Sequence, residues 1–272
     1  DAPPCTTNGA VWTEGYAAVW HLNESGTKRA DATAKGNTGT TAGNTAYTGN
    51  GAVAGASLFD GTGDYIGDGQ LASINGSAQL TISGWLNLET LGGSNDADDN
   101  GLFSRGAGSS SIVLWYNVNE GSGDQKHIYT FHVGNTGTPG DRINGNSGVA
   151  KAGQWQHVAG VMSGNARTLY VDGLLDKGAT AGSTTTVPSD SAPLRIGGYA
   201  LSSNFDANGG IDEVRISTVD RSPAWIWAEC MNMAFGCSHG RLHINEDWVV
   251  VEPVDENYRP VPPGEPSVTV LI

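Results

Sequence analysis

Hydrophobic and polar residues alternate one for one along much of the chain. LTISGWLNL places Leu80, Ile82, Gly84, Leu86 and Leu88 on one side, and Thr81, Ser83, Trp85 and Asn87 on the other. That period of two predicts a strand with two distinct faces. Tyr16 to Leu22 (YAAVWHL) predicts a first strand, with Val19 and Trp20 as bulky strand formers. A stretch rich in Gly, Asn and Thr from Asn23 to about Gly51 reads as loop, and SLFDGTGDYI as two strand pieces around a turn at Asp60-Gly61. SIVLWYNV, HIYTFHV, QWQHVAGVM, TLYVDGLL, PLRIGGYA and GIDEVRIS complete the series. Roughly eight to twelve strands separated by turn signals predict an all-β fold, a two-sheet antiparallel sandwich.

One helix interrupts the pattern. Ser222 is a good N-cap, Pro223 suits the first helical position, and AWIWAECMNMAF follows. Beyond Gly236 the Gly/Thr/Asn bias stops and a Pro-rich tail begins, with the short β-prone runs VVV and VTVLI. The organisation is therefore a lead-in (1–15), one large domain (16–234) and a tail (235–272). Left unpaired, the two runs would expose strand edges. They are expected to form a short hairpin or an added edge strand, bent at Pro260, Pro262 and Pro263, with an oligomer contact as one use.

Composition sharpens the class. Of 272 residues 40 are Gly and only 15% are charged, and the net charge of -14 opposes any nucleic-acid partner. No apolar run approaches the roughly 20 residues of a membrane-spanning helix, so no membrane insertion is expected. Cys5, Cys230 and Cys237 leave the middle of the chain without thiols. No zinc-like spacing is present, and one disulfide plus one free thiol suits a secreted or cell-surface protein. Cys5 with Cys230, Cys5 with Cys237, and Cys230 with Cys237 all stay open.

The ordered set VWHLNE (19–24), ADATAKGNTGT (30–40), LFDGTGDYI (58–66), TISGWLN (81–87), GQWQHVAGV (153–161), LYVDG (169–173), LRIGG (194–198) and GIDEVRIS (210–217) resembles the laminin-G-like, concanavalin-A-like jelly-roll family. With RSPAWIWAE (221–229) the resemblance covers about residues 16 to 234. It implies two curved antiparallel sheets, extracellular placement, frequent structural Ca²⁺, and glycan or protein binding more often than catalysis. It also implies a calcium set in which Glu24, Asp31 and Asn37 approach Asp212, with loop carbonyls completing the shell. The competing reading is that Asp31 and Asn37 make Asx-turns and Asp212 caps a strand end. The tail 240–272 resembles a short internal stretch of adenylate-forming ligases of the phenylacetate-CoA ligase type. It lacks a phosphate-binding loop, so no ligase activity is expected from it.

A second acidic stretch, Asp96-Ala-Asp98-Asp99-Asn100-Gly101, opens like a calcium loop but has Ala107 where an EF-hand needs Glu. It reads as a solvated acidic loop. For a glycan, aromatic faces framed by polar side chains are the expected chemistry. In SIVLWYNV, Val113, Trp115 and Asn117 share one face, and Ile112, Leu114 and Tyr116 the other, so either Trp115 or Tyr116 looks outward. His127, Tyr129, His132, Arg142 and Tyr199 are further candidates near the same sheet. Against this, Trp20, Trp85 and Trp155 are assigned to packing, and Trp225 and Trp227 to seating the helix.

Catalysis finds little support. Two convergent carboxylates are needed for glycosidase work, and no E-x-D-x-x-E string occurs. Asp212 and Glu213 are adjacent, so a regular strand would point them to opposite faces. His127, Tyr129 and Arg142 mimic a lyase set without diagnostic spacing. The expectation is a carbohydrate-binding module of a secreted or surface protein, taking a polysaccharide or other glycan. A jelly-roll hydrolase or lyase and a purely structural adhesion domain are the alternatives.

Overall fold

The computed structural model describes residues 12, 14–92, 99–106, 111–119, 126–135, 138, 140–199 and 205–231, with three-residue pieces at 234–236, 242–244, 252–254 and 269–271. In chain order the strands are β1 Tyr16–Trp20, β2 Lys28–Arg29, β3 Gly39–Ala42, β4 Ala46–Thr48, β5 Ala56–Asp60, β6 Tyr65–Asp68, β7 Gln79–Leu88 and β8 Asn100–Arg105. Then come β9 Ser111–Asn119, β10 Lys126–Gly134, β11 Arg142–Asn144, β12 Gln156–Ser163, β13 Ala166–Val171, β14 Leu174–Ala181, β15 Leu194–Ile196 and β16 Asn208–Ser217. Helix α1 spans Pro223–Cys230, and β17 Ala234–Gly236, β18 Leu242–Ile244, β19 Glu252–Val254 and β20 Thr269–Leu271 follow.

Two antiparallel sheets form the sandwich. Sheet A runs β14-β13-β12-β7-β16-β5-β4, with β1 also pairing β16, and sheet B runs β11-β10-β9-β8-β15-β6-β3-β2. The Asn23–Gly51 region contains three of these strands, not loop alone. They are two to four residues long (KR, GTTA and AYT), so no apolar alternation announces them. SLFDGTGDYI is not a hairpin: β5 lies in sheet A and β6 in sheet B, so the Asp60-Gly61 turn carries the chain across the sandwich.

Alternation decides the core. Leu80, Ile82, Leu86 and Leu88 of β7 join Ile112, Leu114, Tyr116, Tyr129, Phe131 and Ile196 in one buried cluster between the sheets. Gly160 in β12 faces the ring of Phe131, where an added Cβ would stand 2.3 Å from a ring carbon. A methyl there would overpack the contact.

The outer face of sheet A is closed by α1. Ser222 accepts from the Trp225 amide at 3.2 Å, as an N-cap should. Ile226 packs on Ala159, Val161 and Tyr170 of sheet A. Beneath the helix lies a buried polar web. Glu229 accepts from Tyr16 Oη (3.0 Å), Ser83 Oγ (2.9 Å) and Trp225 Nε1 (3.0 Å), with Arg215 3.7 Å away. Trp225 thus seats the helix, while Trp227, 37% exposed, packs its backbone and ring edge against Gly173. Trp20 is fully buried, and Trp155 lies against Gly210, as packing residues would.

In the tail, β17 pairs β18 and β19 pairs β20, both antiparallel. The latter pair includes part of VTVLI, while the VVV run lies outside the described residues. Among the described residues no helix is long and apolar enough to cross a membrane.

Candidate functional site

With α1 on sheet A, the outer face of sheet B is the other broad surface of the sandwich. Strand pairing aligns a polar row across it. Arg142 on β11 pairs His132 on β10, His132 pairs Val113 on β9, Val113 pairs Ser104 on β8, and Ser104 pairs Arg195 on β15. A second row runs Asn144, Thr130, Trp115 and Gly101. Val113, Trp115 and Tyr199 form a small apolar cluster separate from the main core, with Phe205 packed against it.

The aromatic contacts there are close. Trp115 stacks on Phe205 with centroids 5.1 Å apart and an 18° tilt, and Tyr199 meets both rings edge-on. The Arg142 guanidinium lies 5.7 Å from the Trp115 ring centroid, a cation–π contact. Because β10 stands between β11 and β9, the Arg142 side chain must cross it to reach Trp115. The chain at Gly198 and Phe205 passes over β8: Ser104 donates to the Gly198 carbonyl at 2.7 Å, and a Cβ on Gly101 would be 3.1 Å from Phe205 O. As a result Trp115 is only 7% and Tyr199 9% exposed. The ring is a covered element, not an open platform.

Polar groups are buried in this face. His132 Nδ1 lies 3.0 Å from Ser111 Oγ, and Ser111 Oγ is 3.3 Å from the Gly134 carbonyl. Burial holds the His132 imidazole down at about 4, so it is neutral at pH 7. His132 Nε2 and Trp115 Nε1 are buried without a hydrogen-bond partner. Such groups are rare in native proteins, because each costs its full desolvation. Arg142 Nε donates to Asn144 Oδ1 at 3.1 Å, and Arg195 stacks over Tyr65 at 4.0 Å.

The sequence candidates therefore divide. Trp115, Asn117, His132, Arg142 and Tyr199 share the outer face of sheet B. Tyr116 and Tyr129 alternate to the other side and belong to the core. Burial raises the Tyr129 hydroxyl well above its ordinary range, and it donates to Gln156 Oε1 at 3.0 Å. His127, at a positive φ of 54°, stacks on Tyr116 and lies 2.8 Å from its hydroxyl, away from the His132 row. Phe205, Thr130 and Asn144 were not foreseen. Thr130 and Asn144 were findable by alternation from His132 and Arg142, but Phe205 lies outside any strand, where alternation says nothing.

The calcium candidates are also separated. Asp31 Oδ1 accepts from the amides of Val19 (3.0 Å) and Thr33 (2.9 Å). Its Oδ2 accepts from Thr33 Oγ1 (2.8 Å), the Asn37 amide (2.9 Å) and Asn37 Nδ2 (2.8 Å). This is the Asx-turn arrangement, and it leaves Asp31 little capacity for a cation. Glu24 Oε1 caps the Ala30 amide at 2.7 Å. Asp212 accepts from the Val53 amide at 2.7 Å, while its Oδ1 is buried without a partner. Burial pushes the Asp212 carboxyl up to about 7. Among the described residues no group of three or more His, Cys, Asp or Glu side chains is placed to hold a metal. The four residues do not fit a single coordination shell.

Asp212 and Glu213 do not take opposite faces. The β16–β7 register shifts between Asp212 and Arg215, and Glu213 sits at φ 50°. Both acids stand between the core residues Ile211 and Val214. Glu213 instead joins Arg215 (2.8 Å) and His21 (2.6 Å), and those partners hold its carboxyl below the usual range against burial. Both are buried, so neither is presented to a polymer substrate. Cys230 carries a free thiol that burial pushes up to about 11. Cys5, Cys237, Asp96 and Asp98 lie outside the described residues.

Comparison with known proteins follows the geometry. The family described as the concanavalin A-like lectin/glucanases superfamily (Laminin_G_3) matches residues 59–227. No curated protein matches the sequence. Among solved structures, domain 4 of AbnA, a GH43 extracellular arabinanase from Geobacillus stearothermophilus in complex with arabinotriose, is similar at 18% identity and TM-score 0.60. That likeness covers 78% of this chain and 97% of the other. Trypanosoma rangeli sialidase is 16% identical with TM-score 0.57, over 82% of this chain and 33% of its own, so this chain spans about a third of that enzyme. The binding domain of Paraclostridial Mosquitocidal Protein 1 is 12% identical with TM-score 0.59, over 80% and 52%. At these identities the likeness shows the fold alone. The family match stops before residue 240, so nothing supports the ligase-like reading of the tail.

Proposed function

Because the chain belongs to the concanavalin A-like lectin/glucanases superfamily, we propose that it is a carbohydrate-binding module whose ligand lies on the outer face of sheet B. One observation carries this reading. An aromatic cluster outside the main core, Trp115 with Tyr199 and Phe205, adjoins buried polar atoms that the described residues leave unsatisfied. Burial without a partner costs such an atom its desolvation, which a ligand group bound there would offset. Arg142, Asn144 and Arg195 are the half-buried members at which a ligand first arrives.

Extracellular placement belongs to this proposal. It is supported by an extracellular arabinanase domain among the similar structures. A structural Ca²⁺ is proposed in a narrower form than the four-residue set. Asp212 Oδ1 and Glu24 Oε2 are the buried carboxylate oxygens without a partner, and Gly51 packs closely on Asp212: a Cβ there would stand 2.7 Å from Asp212 Oδ2 and 2.7 Å from Gly55 O. Bound there, the cation would supply charge neutralisation and would pin the 51–55 segment to β16.

A jelly-roll hydrolase or lyase is the second reading. The buried Asp212–Glu213 pair and the packed Tyr129 disfavour it. A glycan array run beside turnover assays on the same sugars tests both. Binding without turnover is expected; turnover would replace the module by an enzyme, and silence in both would leave a structural domain.

A further inference from the structure

Helix α1 covers only part of the outer face of sheet A. Ile226 rests on Ala159, Val161 and Tyr170, and Glu229 reaches Ser83. Alternation from Ser83 brings Trp85 and Asn87 of β7 to the same face, both half-buried. Trp85 pairs His157 on β12 and meets its ring edge-on at 5.3 Å. On β16, Gly210 pairs Asn87 on one side and Leu58 of β5 on the other. Their neighbours Ile211 and Phe59 are core residues, so Gly210 and Leu58 face outward, and Leu58 is 38% exposed.

Trp155 stands just before β12, and β7 lies between β12 and β16 in the sheet. Its indole nevertheless reaches Gly210, where an added Cβ would stand 2.6 Å from a ring carbon. The ring therefore lies across β7 on a glycine seat, and it is half-buried, not enclosed. A glycine inside a strand marks a close approach to its backbone, here by an aromatic ring on a solvent-facing surface. Asn208, two residues before Gly210, shares its face. Among the described residues no hydrogen bond engages the side chains of Asn87 and Asn208 or the indole N–H of Trp85 and Trp155. From β12 to β5 the row spans three strand spacings, about 14 Å, which suits an oligosaccharide better than a single ring.

We propose that this end of sheet A is a second sugar-binding surface, built for a chain of pyranose rings with equatorial hydroxyls, as in a β-1,4-linked glucan or xylan. Such rings carry C–H bonds on their two flat faces and hydroxyls around the rim. The flat face stacks on Trp155 and continues over Leu58, while rim hydroxyls bond Asn87, Asn208 and the Trp85 indole N–H. A side-chain amide both donates and accepts, so it meets a hydroxyl in either sense. The seated indole is already in place, which lowers the ordering cost of binding. A furanose chain offers no comparable flat face and is disfavoured here. The surface lies on the opposite sheet from Trp115, so it goes beyond the sheet B reading and stands or falls separately.

Titration calorimetry of the full chain tests this with cellotetraose and xylotriose as pyranose probes and arabinotriose as the furanose control. Trp155→Ala removes the platform and should weaken the tighter pyranose probe about tenfold or more, or abolish one of two sites. Asn87→Ala removes one hydrogen-bonding amide and should weaken it about fivefold with little change in Tm. It carries the test if Trp155→Ala does not fold. Pyranose binding that neither variant changes would overturn this inference and leave the sheet B reading standing. Arabinotriose binding that falls as much as pyranose binding in Trp155→Ala would overturn the choice of pyranose. No binding of any probe, here or on a broader glycan array, would remove both surfaces.

Discussion

Tyr16 donates its hydroxyl to Glu229 at 3.0 Å across 213 residues of sequence. The first strand and helix α1 thus meet over one carboxylate, which Ser83, Trp225 and Arg215 also engage. Arg215 keeps Glu229 ionised below the ordinary carboxylate range in spite of burial. The web is a clamp holding α1 to sheet A.

Arg215 keeps its 2.8 Å pairing with Glu213, so Glu229→Gln leaves no bare charge; it turns hydrogen bonds to a charged acceptor, worth about 1.5–3 kcal/mol, into neutral ones. Glu229→Gln should therefore lower stability by about 1–3 kcal/mol. For a domain of this size the shift is roughly 2–12 °C in Tm, read by calorimetry. A change under 1 °C would show that the clamp contributes nothing.

His157, buried under the same helix, is held down at about 4, first by burial. Its Nδ1 is unpartnered, and Glu229, Arg215 and Asp172 are the charges acting on it. The unfolded chain binds its proton below about 6.5, while the fold resists until about 4. This stability term is complete above pH 6.5 and is lost as pH falls toward 4. Asp212, raised to about 7, acts with the opposite sign, so the difference between proteins is the readout. Tm profiles of wild type and His157→Gln should converge from pH 6.5 to 4, and parallel profiles would refute the assignment.

Calcium is checked by removal. A ligand at 100 times its Kd stabilises the native state by about 2.7 kcal/mol. EDTA should lower Tm by several degrees, and millimolar Ca²⁺ should restore it. Asp212→Asn should abolish the response. An unchanged curve with EDTA in the wild type would remove calcium from the description.

The Cys230 thiol should alkylate slowly at pH 8, since the thiolate is the reactive form and burial suppresses it. Iodoacetamide labelling followed by non-reducing peptide mapping reads this directly. Rapid labelling of the native protein, or Cys230 found in a disulfide, would contradict the free buried thiol.

Much of this architecture was legible because a period of two is a geometric statement about strands. It separated Trp115 from Tyr116 on β9, and the core face of β7 from Thr81 and Ser83. Applied as strictly to β10, it would have moved Tyr129 into the core and kept His132 outside. What alternation could not reveal is where it breaks. Glu213 adopts a positive φ without being glycine, so nothing local announced that Asp212 and Glu213 would stay out of the core together. The Asx-turn at Asp31 and the calcium reading need the same residue types. Only the count of donors on the carboxylate separates them.

The pairing of β1 with β16, Tyr16 opposite Ser217 and Trp20 opposite Val214, also sets a timetable. A ribosome delivers the first of these strands about 200 residues before the second. At roughly 5–20 residues per second that interval is on the order of 10–40 s. Throughout it, Val19 and Trp20 have no sheet to join, and the seat of α1 does not exist. The sandwich can close only when its last strand has emerged, so the nascent chain stays open for nearly the whole of its synthesis.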